Sequence, residues 1–130
     1  MTTIGENAFG SCYNLTDITI PSSVTDIDRG AFAGTAVSHI ALPEGLTAIN
    51  DAVFSGCLSL KELTIPEGVT RIGDSAFSNC ISLKSVEIPE SVLWIDVEAF
   101  SLCDNLTLQL VAGSYAESYA QENNLRYVTK

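Results

Sequence analysis

"CLSLKELTIPEGVTRIGDSAF", from Cys57 to Phe77, decides how this chain folds, because it recurs. Phenylalanines fall at 9, 32, 54, 77 and 100, in steps of 23, 22, 23 and 23 residues. All four prolines, at 21, 43, 66 and 89, keep the same interval. So do the isoleucines at 4, 27, 49, 72 and 95. The cysteines at 12, 57, 80 and 103 share one phase; in the second unit Thr35 takes that place and one residue is missing nearby. Three independent residue types on one clock mark a repeat architecture.

Within the unit, Leu60 to Ile65 reads as a short strand, with Leu63 and Ile65 on one face and Glu62 and Thr64 on the other. Pro66 ends it, since proline cannot donate to a sheet ladder. A second extended piece holds Val69 and Ile72, and Gly73 allows a bend. Asp74 is placed to cap a single helical turn through Ala76 and Phe77. Asn79, like Gly34 and Gly56, precedes the cysteine phase, where a left-handed exit from the turn is expected. A unit this small cannot bury its own apolar side, but stacked units cover one another, with equivalent strands pairing in parallel.

The segments "LKELTIPEGVTRIGDSAFSNC" (Leu60–Cys80) and "LKSVEIPESVLWIDVEAFSLC" (Leu83–Cys103) resemble leucine-rich repeats of the BspA, or Treponema, type. The C-terminal "GSYAESYAQENNLRYV" (Gly113–Val128) looks like the terminal cap common in that family. The resemblance implies a right-handed leucine-rich repeat solenoid, a superhelix of short parallel strands with single helical turns. It would form one domain: about five repeats of 22–23 residues over 1–111, then a cap over 112–130. It also implies a noncatalytic interaction or adhesion module of a bacterial cell-surface protein, with an unidentified protein or glycan as partner. A structural spacer or self-associating scaffold is the alternative.

The two ends depart from the rhythm. Leu93, Trp94, Val97 and Leu102 stand where earlier units carry mostly polar or small residues. Tyr115, Ala116, Tyr119 and Ala120 follow at helical spacing, predicting a short amphipathic helix over about 114–123 and then an extended "LRYV". The simplest account packs Trp94 and its neighbours under that cap; an exposed contact patch is the competing one. At the other end, Met1 occupies the phase of Val24, Leu46, Val69 and Val92, so the sequence starts inside a repeat. This suggests a C-terminal piece of a longer repeat protein. The alternative is a short natural protein whose uncovered end, carrying Ile4, Phe9, Cys12 and Leu15, pairs with another copy.

The net charge is −10, from sixteen acids against six bases. Phosphate recognition needs clustered Lys and Arg, so nucleic acid is not an expected partner. No apolar run is long enough to insert in a bilayer, and "MTTIGENAFG" lacks the basic and apolar regions of a signal peptide. Surface localisation therefore rests on the resemblance alone; the chain as written reads as cytoplasmic. The cysteines form no CxxC pair, so zinc is disfavoured. Packing is preferred over a disulfide, and a disulfide over catalysis or metal binding, because free Cys behaves as a small buried hydrophobe. His39, the only histidine, falls on the solvent face, away from thiols expected to point inward. The two Asn-Leu-Thr sequons, at Asn14 and Asn105, arise from the repeat itself. No catalytic residue, metal site or cofactor is assigned. The remaining candidate is the sheet face, with one column of Asp17, His39, Glu62 and Ser85 and a second of Thr19, Ala41, Thr64 and Glu87.

Overall fold

A computed structural model describes residues 2–130; Met1, and with it the phase assigned to it above, lies outside the described residues. The chain coils into a parallel-strand solenoid. Each turn contributes a short strand to one side of the coil and a tight corner; from the third turn on, a second strand lines the other side. On one side lie β1 (Thr3–Ile4), β2 (Asp26–Ile27), β3 (Ala48–Ile49), β5 (Arg71–Ile72) and β7 (Trp94–Ile95). On the other lie β4 (Glu62–Thr64), β6 (Ser85–Glu87), β8 (Thr107–Leu110) and β9 (Arg126–Thr129). All pairings are parallel, and Ile27, Ile49, Ile72 and Ile95 pair with residues in their own phase or its neighbour.

The corner is held in two ways at once. Phe9, Phe32, Phe54, Phe77 and Phe100 stack face to face, with ring centroids 5.2–5.8 Å apart. Beside the rings, each turn donates main-chain hydrogen bonds to the next: Phe9 N to Ala31 O, Phe32 N to Val53 O, Phe54 N to Ala76 O, Phe77 N to Ala99 O, at 2.8–3.0 Å. Ala31, Ala76 and Ala99 are fully buried against this column. A ring at this position touches a ring above and below, and so gains stacking beyond simple burial.

The corner is not the single helical turn expected. It is a run of tight turns with residues in the left-handed region. Asn7, Gly30, Ala52 and Ser75 have φ of 54–67°, and Ser11, Gly34, Gly56, Asn79 and Leu102 have φ of 60–73°. Ser75 directly follows the expected cap Asp74, and its positive φ breaks the helix before it starts. The second set confirms the left-handed exit before the cysteine phase. Gly73 is required for a different reason than bending: a Cβ there would lie 2.9 Å from the backbone nitrogen of Asp51 in the turn below.

The C-terminal cap is α1 (Tyr115–Glu122) followed by β9. Ser114 caps the helix, its hydroxyl accepting from Glu117 N, while the Glu117 carboxylate accepts from Gly113 N. This reciprocal arrangement is close kin to a capping box. β9 pairs along its whole length with β8, extending the sheet by one strand. Tyr119 closes the aromatic column, its ring tilted on Phe100 at 6.5 Å, and its hydroxyl donates to Asp96 O at 2.8 Å. Tyr115 Oη accepts the Ile95 N–H, an otherwise open group on the last strand of its sheet.

The cap does not cover the apolar residues expected beneath it. Leu93, Trp94, Val97 and Leu102 are each more than half exposed. Tyr115 reaches Ile95 and Tyr119 reaches Phe100, Ala116 and Ala120 are buried, and the strand period turns Trp94 to the opposite side from Ile95.

One side parts between the second and third turns, and the other forms a sheet only from the third turn on. β2 pairs with β1 and β3 pairs with β5, but β2 and β3 do not pair. On the other side, Lys61 N donates to Ser38 O, and beyond it no main-chain bond joins 39–42 to 62–65 among the described residues. The physical cause is the missing residue. Nine positions separate Cys57 from Pro66, but only eight separate Thr35 from Pro43. The shortened segment pulls Ala36 onto Leu15 O, displacing the strand phase that follows. The parting is bridged by a side chain: Asn50 Nδ2 donates to Ile27 O at 2.7 Å, where main-chain nitrogens Gly73 and Asp96 bond Ile49 O and Ile72 O in later turns.

Candidate functional site

The sheet face carries the two expected columns. In register, Glu62 faces Ser85 and Ser85 faces Thr107; Thr64 faces Glu87 and Glu87 faces Gln109. Asp17, His39 and Ala41 continue the line over the first two turns without strand pairing, and Thr19 is exposed just beyond. The face is concave and forms an open groove of about 650 Å³. Asp17, His39, Ala41, Glu62, Thr64, Ser85 and Glu87 line it; Thr19 does not. Its floor is apolar, from Ile18, Ile40, Leu42, Leu63 and Pro66.

Three lining or contacting residues escaped the sequence reading. Glu44 lies just past Pro43, outside the strand columns. Gln109 belongs to the last turn, where its Nε2 donates to Ser85 Oγ at 2.8 Å. Lys130, the final residue, places its ammonium on the Glu87 carboxylate across the face. No periodic signal could have placed Lys130, since only the pairing of β9 with β8 brings it there. His39 Nδ1 lies 3.6 Å from Glu62 Oε1, with both side chains well exposed.

The thiols take a structural role in the corner. Cys57 Sγ donates to Phe32 O, Cys80 Sγ to Phe54 O and Cys103 Sγ to Phe77 O, at 2.9–3.1 Å. Each thus ties one turn to the aromatic position of the turn before. Burial pushes the Cys57 thiol above its ordinary pKa. The neighbouring Cys103 thiol, together with burial, does the same for Cys80. A thiol held protonated in this way is a poor nucleophile. Thr35 is buried in the same phase, its hydroxyl donating to Phe32 O at 3.0 Å. All four cysteines are free, and Cys12 is the exception to inward packing, since it is exposed.

A smaller hollow of about 280 Å³ lies between the last turn and the cap, lined by Val97, Phe100, Leu102, Cys103, Tyr119 and Leu125 among others. Burial raises the Tyr119 hydroxyl above its ordinary pKa there. Among the described residues no group of three or more His, Cys, Asp or Glu could hold a metal ion. No helix among them is long and apolar enough to cross a membrane.

Stacked short parallel strands, an aromatic corner repeated every turn and a terminal helical cap define a leucine-rich repeat solenoid. The BspA-type leucine-rich repeat profile matches residues 1–110 in six copies, and the chain belongs to that family. Among solved structures it is similar to a leucine-rich cell-surface protein of Faecalibacterium prausnitzii, at 38% identity and a TM-score of 0.85 over 92% of this chain and 32% of that one. It is similar also to the leucine-rich repeat protein of T. pallidum, at 36% identity and a TM-score of 0.80 over 85% of this chain and 52% of that one. The pneumococcal vaccine antigen PcpA shares the fold, with a TM-score of 0.75 at 18% identity. The chain therefore spans about a third of the first of these proteins and about half of the second. A search of curated proteins finds no match.

Proposed function

We propose that this chain is a noncatalytic interaction module of a bacterial cell-surface protein and that it engages its partner through the sheet-face groove. The observation that carries this reading is the groove itself. It is larger than the hollow beside the cap, it runs across several turns, and polar side chains rise from an apolar floor. Repeat solenoids bind extended partners on surfaces of this shape. The groove holds no thiol, its single histidine is exposed, and the buried thiols are committed to main-chain carbonyls, which supports binding over catalysis. The similarity to the cell-surface protein of F. prausnitzii supports surface display, and adhesion is the role such display would serve.

A binding screen against arrayed proteins, peptides and glycans tests this reading. Selective capture is expected, reduced by Glu62→Gln with Glu87→Gln. Capture that ignores these changes, or no capture, would remove the groove from consideration. A self-associating scaffold draws support from a separate observation, the exposed Leu93, Trp94, Val97 and Leu102. It predicts a concentration-dependent mass in light scattering that Trp94→Ser lowers to that of a monomer.

A further inference from the structure

Resting on the groove as the contact surface, we infer that its occupant is an extended peptide strand with lysine or arginine at alternate positions, its main chain laid along the open edge of β4. The start of this sheet at the third turn supplies that edge. Ile65 N–H points to Glu87 O, so the strand alternation turns the main-chain groups of Glu62 and Thr64 the other way, toward the second turn. Among the described residues neither of those N–H groups finds a main-chain or side-chain acceptor. An unpaired strand edge is a template for one more strand, and peptide recognition by strand addition uses such an edge for affinity and side-chain contacts for specificity.

The side chains around this edge select the peptide's charge. Asp17, Glu44, Glu62 and Glu87 surround it, and the only lining group able to carry positive charge is His39. No aromatic ring lines the groove to stack a sugar. The chain also supplies its own example of the contact: Lys130 places an ammonium on Glu87 at the far end of the same face. A strand residue repeats its side-chain direction every second position, so alternate basic residues would meet the carboxylates while the others meet the apolar floor.

The test uses a capped, fluorescent octapeptide of alternating lysine and valine, titrated by anisotropy at low salt. Two companions carry N-methyl groups on the lysines or on the valines, and a third replaces lysine by glutamate. Saturable binding is expected for the parent peptide. It should weaken about tenfold or more with Glu62→Gln plus Glu44→Gln, and with at least one N-methylated companion, which keeps the charge but cannot pair as a strand. Lys130→Ala should tighten binding by roughly threefold by freeing Glu87. Insertion of one serine after Ala36, which restores the nine-residue spacing, should weaken it by closing the seam. Equal binding of the parent and both N-methylated peptides would reduce the contact to charge alone and overturn the inference. So would equal binding of the glutamate peptide. If the array instead finds a groove-dependent glycan and the peptide fails, the inference falls while the interaction role stands.

Discussion

The corner and the sheets are built from the same repeat, yet only the corner runs unbroken. Its phenyl column and its turn-to-turn main-chain bonds continue from Phe9 to Phe100. One sheet stops and restarts between the second and third turns, and the other begins only at the third. The difference lies in where each part can tolerate a lost residue. A missing residue in the corner would take a buried ring or a left-handed turn out of line. A missing residue between Thr35 and Val37 still lets Thr35, Val37, Ile40 and Leu42 reach the core, and what is lost is the main-chain pairing of the segment. Apolar packing therefore sets the stacking, and strand pairing follows where the local spacing permits.

The hardest way to break this contrast is to remove a ring beside the seam. Phe54→Ala should cost about 3–5 kcal/mol in urea unfolding, as expected for a buried phenylalanine. If it costs no more than Ile40→Ala on the parted face, the corner does not dominate. Next in size is Asn50→Ala, which leaves Ile27 O without its bridging donor and should cost about 1–3 kcal/mol. An undiminished stability would mean that the seam needs no bridge.

Smaller again is Tyr119→Phe, expected to cost about 1 kcal/mol through the bond to Asp96 O. Its sharper signature is in pH. Burial raises the folded-state pKa of Tyr119 above the ordinary 10.0, so its hydroxyl ionises more readily in the unfolded chain. The stability this group contributes is whole below pH 10 and is lost as pH rises through the folded value. Tyr119→Phe should flatten that alkaline loss in thermal melts taken at increasing pH; an unchanged slope would assign the loss to other groups. Last comes a change with no cost in stability at all. A thiol reagent on the native protein should label Cys12 at once and Cys57 and Cys80 only on unfolding. Fast labelling of Cys80 would mean that the corner opens locally.

Much of this was legible from spacing. The phases of phenylalanine, proline and isoleucine give the stack, and Tyr115 with Tyr119 gives the cap helix. The glycine and asparagine before the cysteine phase give the left-handed exit. The missing residue near Thr35 was visible too, but its effect on pairing was not, since that depends on which carbonyl Ala36 reaches in the turn before. Trp94 was misplaced beneath the cap because an apolar residue next to a covering helix suggests burial. Strand alternation sends it outward, since Ile95 already occupies the inner position. Of the groove, the strand columns were readable by phase. Glu44 and Lys130 were not, as one sits beyond a proline and the other reaches the face only through the pairing of β9.

The continuous corner also bears on how such a chain tolerates change in length. Register is renewed at every turn by a ring and several backbone bonds, joined in the later turns by a thiol, so an error in one face is not passed to the next turn. The loss at the second unit does not reach the third, where Glu62 and Thr64 pair regularly with Ser85 and Glu87. Faces of neighbouring turns can therefore lose or gain residues independently, each edit opening or closing a local edge, while the axis of the stack stays where it was.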